Sequence, residues 1–237
     1  MACFASVAMA GAMVVLAAAG DDRLVIGTGP TFPPYLIHDA ETGALTGYDY
    51  EMMQDICTRI RRTCTWEVTT FDELIPGVMS GRFDVVLGGM AISVERRQMV
   101  DFTQAYTWGE GVDWFVGPAG APTPEGALTA VVSGTIQENY LRDNGLDYRP
   151  YPSESDALRA VGSGKADLAL GPFEAREDLA PLIQGQGLTY LYTAEVPDEG
   201  VGIAVCKGNA ELLGKIDTAL NAMFADGTMD ALESRWH

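Results

Sequence analysis

Arg96 is a cation set where helix electrostatics disfavours one. The run Ser93-Val94-Glu95-Arg96 follows the glycine pair Gly88-Gly89. Ser93 suits an N-cap and Glu95 suits the positive pole of the helix, whereas Arg96 opposes it. Two readings stay open on spacing alone: Arg96 is solvated, or it shares a bound anion with the free N–H groups of the helix. A guanidinium fork matches a carboxylate, so carboxylate capture is the sharper reading. Its neighbour Arg97 reads as solvated. A second loop, Ser133-Gly134-Thr135-Ile136, also opens a helix, and its N–H groups would meet the same anion from the opposite side. Phe32, in a Pro-rich loop, and Phe71, just ahead of a helix, either wall a cleft or serve as ordinary packing. The two histidines, His38 and His237, are too few for a His-based triad or a multi-His metal site. Catalytic residues, metals and cofactors are therefore not expected.

What must position these groups is written twice in the chain. Ser80-Gly-Arg-Phe-Asp-Val-Val-Leu-Gly-Gly89 is echoed by Ser163-Gly-Lys-Ala-Asp-Leu-Ala-Leu-Gly-Pro172. Each copy ends an amphipathic helical stretch at a glycine and passes into a short apolar strand. Helix then strand, repeated, predicts α/β architecture in two similar lobes, with ligands gathering at the carboxyl ends of the strands.

Along the chain the pattern predicts a strand over 24–27, a helix over 48–60, a strand over 65–68, a helix over 72–79 and a strand over 83–87. A helix near Ser93 follows. The Pro/Gly/Ala stretch 117–126 reads as carrying no core. A strand over 129–132, a helix to Leu141, the second echo, a strand over 201–205 and a helix over 210–224 complete the series. That last helix is surplus to the second lobe, so it is expected to return and cover the first. The predicted division is 21–109 plus 201–237 for one lobe and 110–200 for the other.

A formal net charge of −18 over 237 residues excludes nucleic acid and anionic membrane surfaces as partners. Residues 1–20 are uncharged, rich in Ala, Met and Val, and end in Ala17-Ala18-Ala19-Gly20, which predicts a secretory signal peptide. No other apolar run approaches the ~20 residues that span a bilayer. Export favours a local disulfide between Cys57 and Cys64, although two separate buried thiols would also fit. Cys206 reads as a free, half-buried thiol.

Seven motifs together carry a resemblance. Gly27-Thr-Gly-Pro-Thr-Phe-Pro-Pro-Tyr35, Leu45-Thr-Gly-Tyr-Asp49, Leu74-Ile-Pro76, Ser80-Gly-Arg-Phe-Asp84, Ser93-Val-Glu-Arg96, Val100-Asp-Phe-Thr103 and Asp226-Gly-Thr228 occur in the order of the polar amino acid periplasmic binding proteins of ABC importers. The chain resembles that family over essentially all of its length past the signal. The Cys57/Cys64 spacing resembles the histidine, lysine/arginine/ornithine and arginine branch, where the pair is a disulfide. The resemblance implies a two-lobed, type II flytrap with a two-strand hinge. It also implies a periplasmic location, a monomer, and a membrane permease as partner.

By the same resemblance Arg96 binds a ligand carboxylate, assisted by Gly88, Gly89, Ser133, Thr135 and Ile136, with Phe32 and Phe71 as walls. Three positions depart from the pattern. Ala91 replaces a hydroxyl residue, Pro172 the Asp that pairs with an α-ammonium, and Gly29 the Asp of the basic branch. Glu174 stands two positions past Pro172 and is the candidate substitute. The expected ligand is a small carboxylate, an amino acid or a similar compound, with basic side chains disfavoured. An alternative is enzymatic: Glu174-Ala175-Arg176 resembles the corresponding loop of cyclohexadienyl dehydratases, which would make Glu174 a general acid.

Overall fold

A computed structural model describes residues 22–39, 41–108 and 112–237. The expected signal peptide lies outside the described residues. In chain order the elements begin with β1 (Arg23–Thr28), β2 (Ile37–His38), β3 (Leu45–Thr46), α1 (Tyr48–Arg59) and β4 (Thr63–Val68). Next come α2 (Leu74–Ser80), β5 (Val85–Leu87), α3 (Val94–Met99) and β6 (Val100–Phe102). Then follow β7 (Asp113–Pro118), β8 (Thr129–Val132), α4 (Ile136–Asp143), β9 (Tyr148–Tyr151), α5 (Glu154–Gly162) and β10 (Leu168–Gly171). The series closes with α6 (Ala180–Gly185), β11 (Leu188–Ala194), β12 (Ala204–Cys206), α7 (Ala210–Ala225) and α8 (Thr228–Trp236).

Two five-stranded sheets result, in the orders β4-β1-β5-β12-β6 and β11-β7-β10-β8-β9. The echoed strands β5 and β10 occupy the middle of their respective sheets, and the repeated residue types explain why. Gly81 and Gly164 take left-handed φ values of 78° and 72°, ending the preceding helices without a Cβ clash. Ser80 and Ser163 hydroxyls donate back to the carbonyls of Gly77 and Ala160. Asp84 accepts from the Val25 N–H at 2.8 Å, and Asp167 from the Leu128 N–H at 2.9 Å. Each aspartate thereby fastens the echoed strand to the start of its neighbour. The sequence repeat is a repeat of caps and strand clamps.

Apolar burial then fixes the layers. Met52, Met53 and Ile56 of α1 pack with Ile216, Leu220 and Met223 of α7 and with Met229 and Leu232 of α8 against β1 and β5. The helix expected to return to the first lobe does so. β12 arrives with it and inserts between β5 and β6, antiparallel to both. The strand expected over 201–205 is shorter, Ala204–Cys206, because 200–203 is used differently. There the chain runs antiparallel to 103–107: Tyr106 N–H donates to Val201, Val201 N–H to Thr107, and Thr103 N–H to Ile203. These two segments form the hinge between the sheets.

The disulfide joins Cys57, near the end of α1, to Cys64 in β4. Cys206 departs from the sequence reading, for it is disulfide-bonded and not a free thiol. Among the described residues no helix is long and apolar enough to cross a membrane.

Candidate functional site

The carboxyl ends of β1, β5, β8 and β10 face a common cleft, and a cavity of ≈ 90 Å³ lies there. Phe32, Phe71, Gly88, Gly89, Ala91 and Arg96 line it from the side of the first sheet. From the second sheet come Thr135, Ile136 and Pro172. A wider, more open space of ≈ 840 Å³ continues from it past Phe32, Pro172, Glu174 and Arg176. Residues far apart in the chain converge here because parallel strands present all their following loops at one sheet edge.

Arg96 is the electrostatic centre of the cavity. Ser93 caps α3 by accepting from the Arg96 N–H at 3.3 Å, which sets the side chain toward the cleft. The residue is 3% exposed, and its guanidinium lies 5.3 Å from the Phe71 ring centroid. Nη1 donates to the Ala91 carbonyl at 2.5 Å and Nη2 to the Gly134 carbonyl at 3.0 Å. Burial holds its pKa down to about 10, which still leaves it cationic at neutral pH. No carboxylate of the described residues pairs with it. A buried cation with carbonyls alone as acceptors favours an anion beside it. Arg97, read as solvated, is exposed and forms a surface ion pair with Glu199 at 2.8 Å.

The glycine pair owes its shape to a buried acid that the sequence reading did not single out. Gly88 and Gly89 have φ values of 132° and 61°, and a Cβ at Gly89 would run into the Phe32 ring at 2.6 Å. Asp49, buried in α1, accepts from the Gly89 N–H at 2.8 Å and from the Tyr106 hydroxyl at 2.7 Å. Desolvation pushes its pKa up to about 7, partly offset by those hydrogen bonds. Its place in the motif Leu45-Thr-Gly-Tyr-Asp49 was visible, but nothing in the spacing linked it to a glycine turn forty residues on.

In the loop opening α4, two of the N–H groups expected to meet an anion are already bonded within the protein. The Ser133 N–H is taken by the Tyr151 carbonyl and the Gly134 N–H by the Glu138 carboxylate at 2.6 Å. Thr135 caps the helix, its hydroxyl accepting from the Glu138 N–H and donating to Val132. The amides of Thr135, the N-cap, and Ile136, the first helical residue, have no carbonyl partner inside the helix. The Ser133 hydroxyl reaches across the cleft to Asp72 at 3.1 Å.

Pro172 lines both the small cavity and the wider cleft, so position 172 supplies no charge. Glu174 lies on the wider cleft alone, where its carboxylate accepts from the Trp114 indole at 3.0 Å. Two residues to which the sequence analysis gave no ligand contact, Glu154 and Arg176, are brought to the cleft. Glu154, first residue of α5, supplies the carboxylate on the wall of the ≈ 90 Å³ cavity. Arg176 reaches Glu154 and also the Phe32 ring, its guanidinium 4.9 Å from the ring centroid. The helix-opening pattern Ser153-Glu154 was a legible signal for the first. Among the described residues no cluster of His, Cys, Asp or Glu fit to hold a metal occurs.

Residues 24–237 match the family described as bacterial extracellular solute-binding proteins, family 3. The chain is similar to the putative ABC transporter arginine-binding protein 2 of Escherichia coli (strain K12), 29% identical over 232 residues, covering 93% of this chain and 93% of the relative. It is also similar to the L-cystine-binding protein TcyJ of the same strain, 30% identical over 222 residues, covering 90% of this chain and 82% of the relative. Among solved structures, an ancestral arginine-binding protein bound to arginine matches with a TM-score of 0.78 at 29% identity, covering 91% of this chain and 98% of the other.

Proposed function

The chain belongs to family 3 of the bacterial extracellular solute-binding proteins, and from that premise we propose that it captures a small carboxylate-bearing ligand, an amino acid or close analogue, for an ABC importer. The ligand is held between a lobe of residues 21–109 plus 201–237 and a lobe of residues 110–200. The protein works as a monomer in the periplasm, exported by the signal at residues 1–20, and delivers its cargo to a membrane permease.

One observation carries the reading: Arg96 is buried at the start of α3, cationic, and hydrogen-bonded to the neutral carbonyls of Ala91 and Gly134. A ligand carboxylate would replace those carbonyls as the acceptor of its fork, joined by the Thr135 and Ile136 amides. Closing the lobes removes water and strengthens that contact. Phe32 and Phe71 then wall the ligand's remaining part. With Gly29 and Pro172 in place of acids, neutral or acidic ligands are favoured over basic ones. We assign Glu174 no catalytic role, since its carboxylate is engaged by Trp114 and faces the wider cleft.

The test is a thermal-shift panel of amino acids, keto acids and dicarboxylates against their uncharged amide or ester counterparts. A true ligand at a hundred times its Kd raises stability by about 2.7 kcal/mol. Stabilisation by a carboxylate and not by its ester supports the reading, and a panel in which esters match acids overturns it.

A further inference from the structure

We propose that Arg176 is a specificity-determining residue: an internal guanidinium that occupies the places a cationic ligand side chain would need and so rejects basic amino acids. This deepens the carboxylate-capture reading and rests on it.

Three contacts define the arrangement. The Arg176 side chain is 4% exposed, in the turn after β10, and its Nε and Nη2 grip Asp178 at 2.8 and 2.9 Å. Its Nη1 lies 3.4 Å from Glu154 Oε2 and makes no hydrogen bond. Its guanidinium also faces the Phe32 ring, which belongs to the other side of the cleft. An aromatic face and a half-buried carboxylate are the two features that attract a cation. Here both border the ligand cavity and both are already engaged by the protein's own cation. A lysine or arginine ligand would have to displace Arg176 from Phe32 and Glu154, or bring a second positive charge beside it without a free acid.

Nη1, buried and without a hydrogen bond, is the one unsatisfied donor of the fork. Beside Arg176, Glu154 and Asp178 a neutral ligand group adds no charge, whereas an ammonium or guanidinium sets a second cation against Arg176. The ligand class favoured is therefore an amino carboxylate whose far end is uncharged.

L-arginine and L-citrulline provide the probe, because they share length and shape and differ in the charge and acceptor at the far end. Titration calorimetry of the wild type is expected to show citrulline bound at least tenfold tighter than arginine. In Arg176→Ala the freed Glu154 and Phe32 should reverse that order, with arginine gaining at least tenfold. Adding Glu154→Gln to Arg176→Ala should remove the gain. If Arg176→Ala lacks a cooperative melt, Arg176→Gln, which is shorter but carries an amide donor near the position of Nε for Asp178, takes its place in the same titrations. An arginine-to-citrulline ratio that does not move on removing Arg176, or a gain that survives Glu154→Gln, overturns the proposal. Failure of the underlying carboxylate reading shows elsewhere, as equal binding of arginine to the Arg176→Ala protein and to its Arg96→Ala double variant.

Discussion

Arg96 Nη2 donates to the Gly134 carbonyl at 3.0 Å, tying a side chain beside the first sheet to the loop that opens α4 beside the second. The same guanidinium holds the Ala91 carbonyl. Both acceptors are neutral, and the proposed ligand carboxylate is the counter-charge to Arg96.

Replacing Arg96 by Ala is expected to remove most ligand affinity, a loss on the order of 2 to 5 kcal/mol for a desolvated ion pair. Arg96→Lys should restore little, because a point charge does not reproduce the fork. Calorimetry with the carboxylate found in the thermal-shift panel checks this, and unchanged affinity in Arg96→Ala contradicts the assignment.

Gly134 faces Asp72 so closely that a Cβ would sit 2.6 Å from the Asp72 Cα, and its φ is +76°. Gly134→Ala should therefore hold the lobes apart and weaken ligand binding by about tenfold or more, roughly 1.4 kcal/mol. Small-angle scattering in the presence of ligand should give a larger radius of gyration than the wild type. Equal radii and equal affinity would show that the bound state does not use this approach.

Asp49 gives a pH signature. Its folded pKa, about 7, lies above its ordinary value of 3.8, so the folded state binds the proton more tightly than the unfolded chain. The resulting stabilisation is complete below about pH 4 and is lost as pH rises through 7, a span on the order of a few kcal/mol. Asp49→Asn cannot ionise and lacks that loss. The stability advantage of wild type over Asp49→Asn, measured by denaturant titration, should shrink from pH 4.5 to pH 7.5. A constant difference would mean that Asp49 is ionised throughout.

The Cys57–Cys64 bond closes a short loop, a sequence separation of 7. Cys57→Ser/Cys64→Ser should lose roughly 2 to 3 kcal/mol by the chain-entropy argument. Peptide mass mapping without reduction should find the two cysteines in one linked species, and recovery of both as free thiols in exported protein counts against it.

Local chemistry made much of this protein legible in its sequence. The two echoes name their own helix ends and strand starts, since Gly81 and Gly164 act on backbone within one supersecondary unit, whereas the clamps of Asp84 on Val25 and Asp167 on Leu128 span 59 and 39 residues and come from the sheet. Ser93, Thr135 and the Tyr48–Met52–Ile56 stripe are likewise short-range signals, and the position of Arg96 against a helix pole marks it as the candidate for the proposed anion site. Long-range closure decided the rest. Asp49 meets Gly89, Arg176 meets Phe32, and Glu154 enters the cavity only because two sheets face each other across the hinge at 103–107 and 200–203. No periodicity encodes such pairings, because the distance between these side chains depends on how the two sheets are oriented. Strands β6, β7 and β11 escaped for a related reason: a strand of three residues, or one edged by Gly, Pro and Thr, takes its identity from the neighbour that pairs with it.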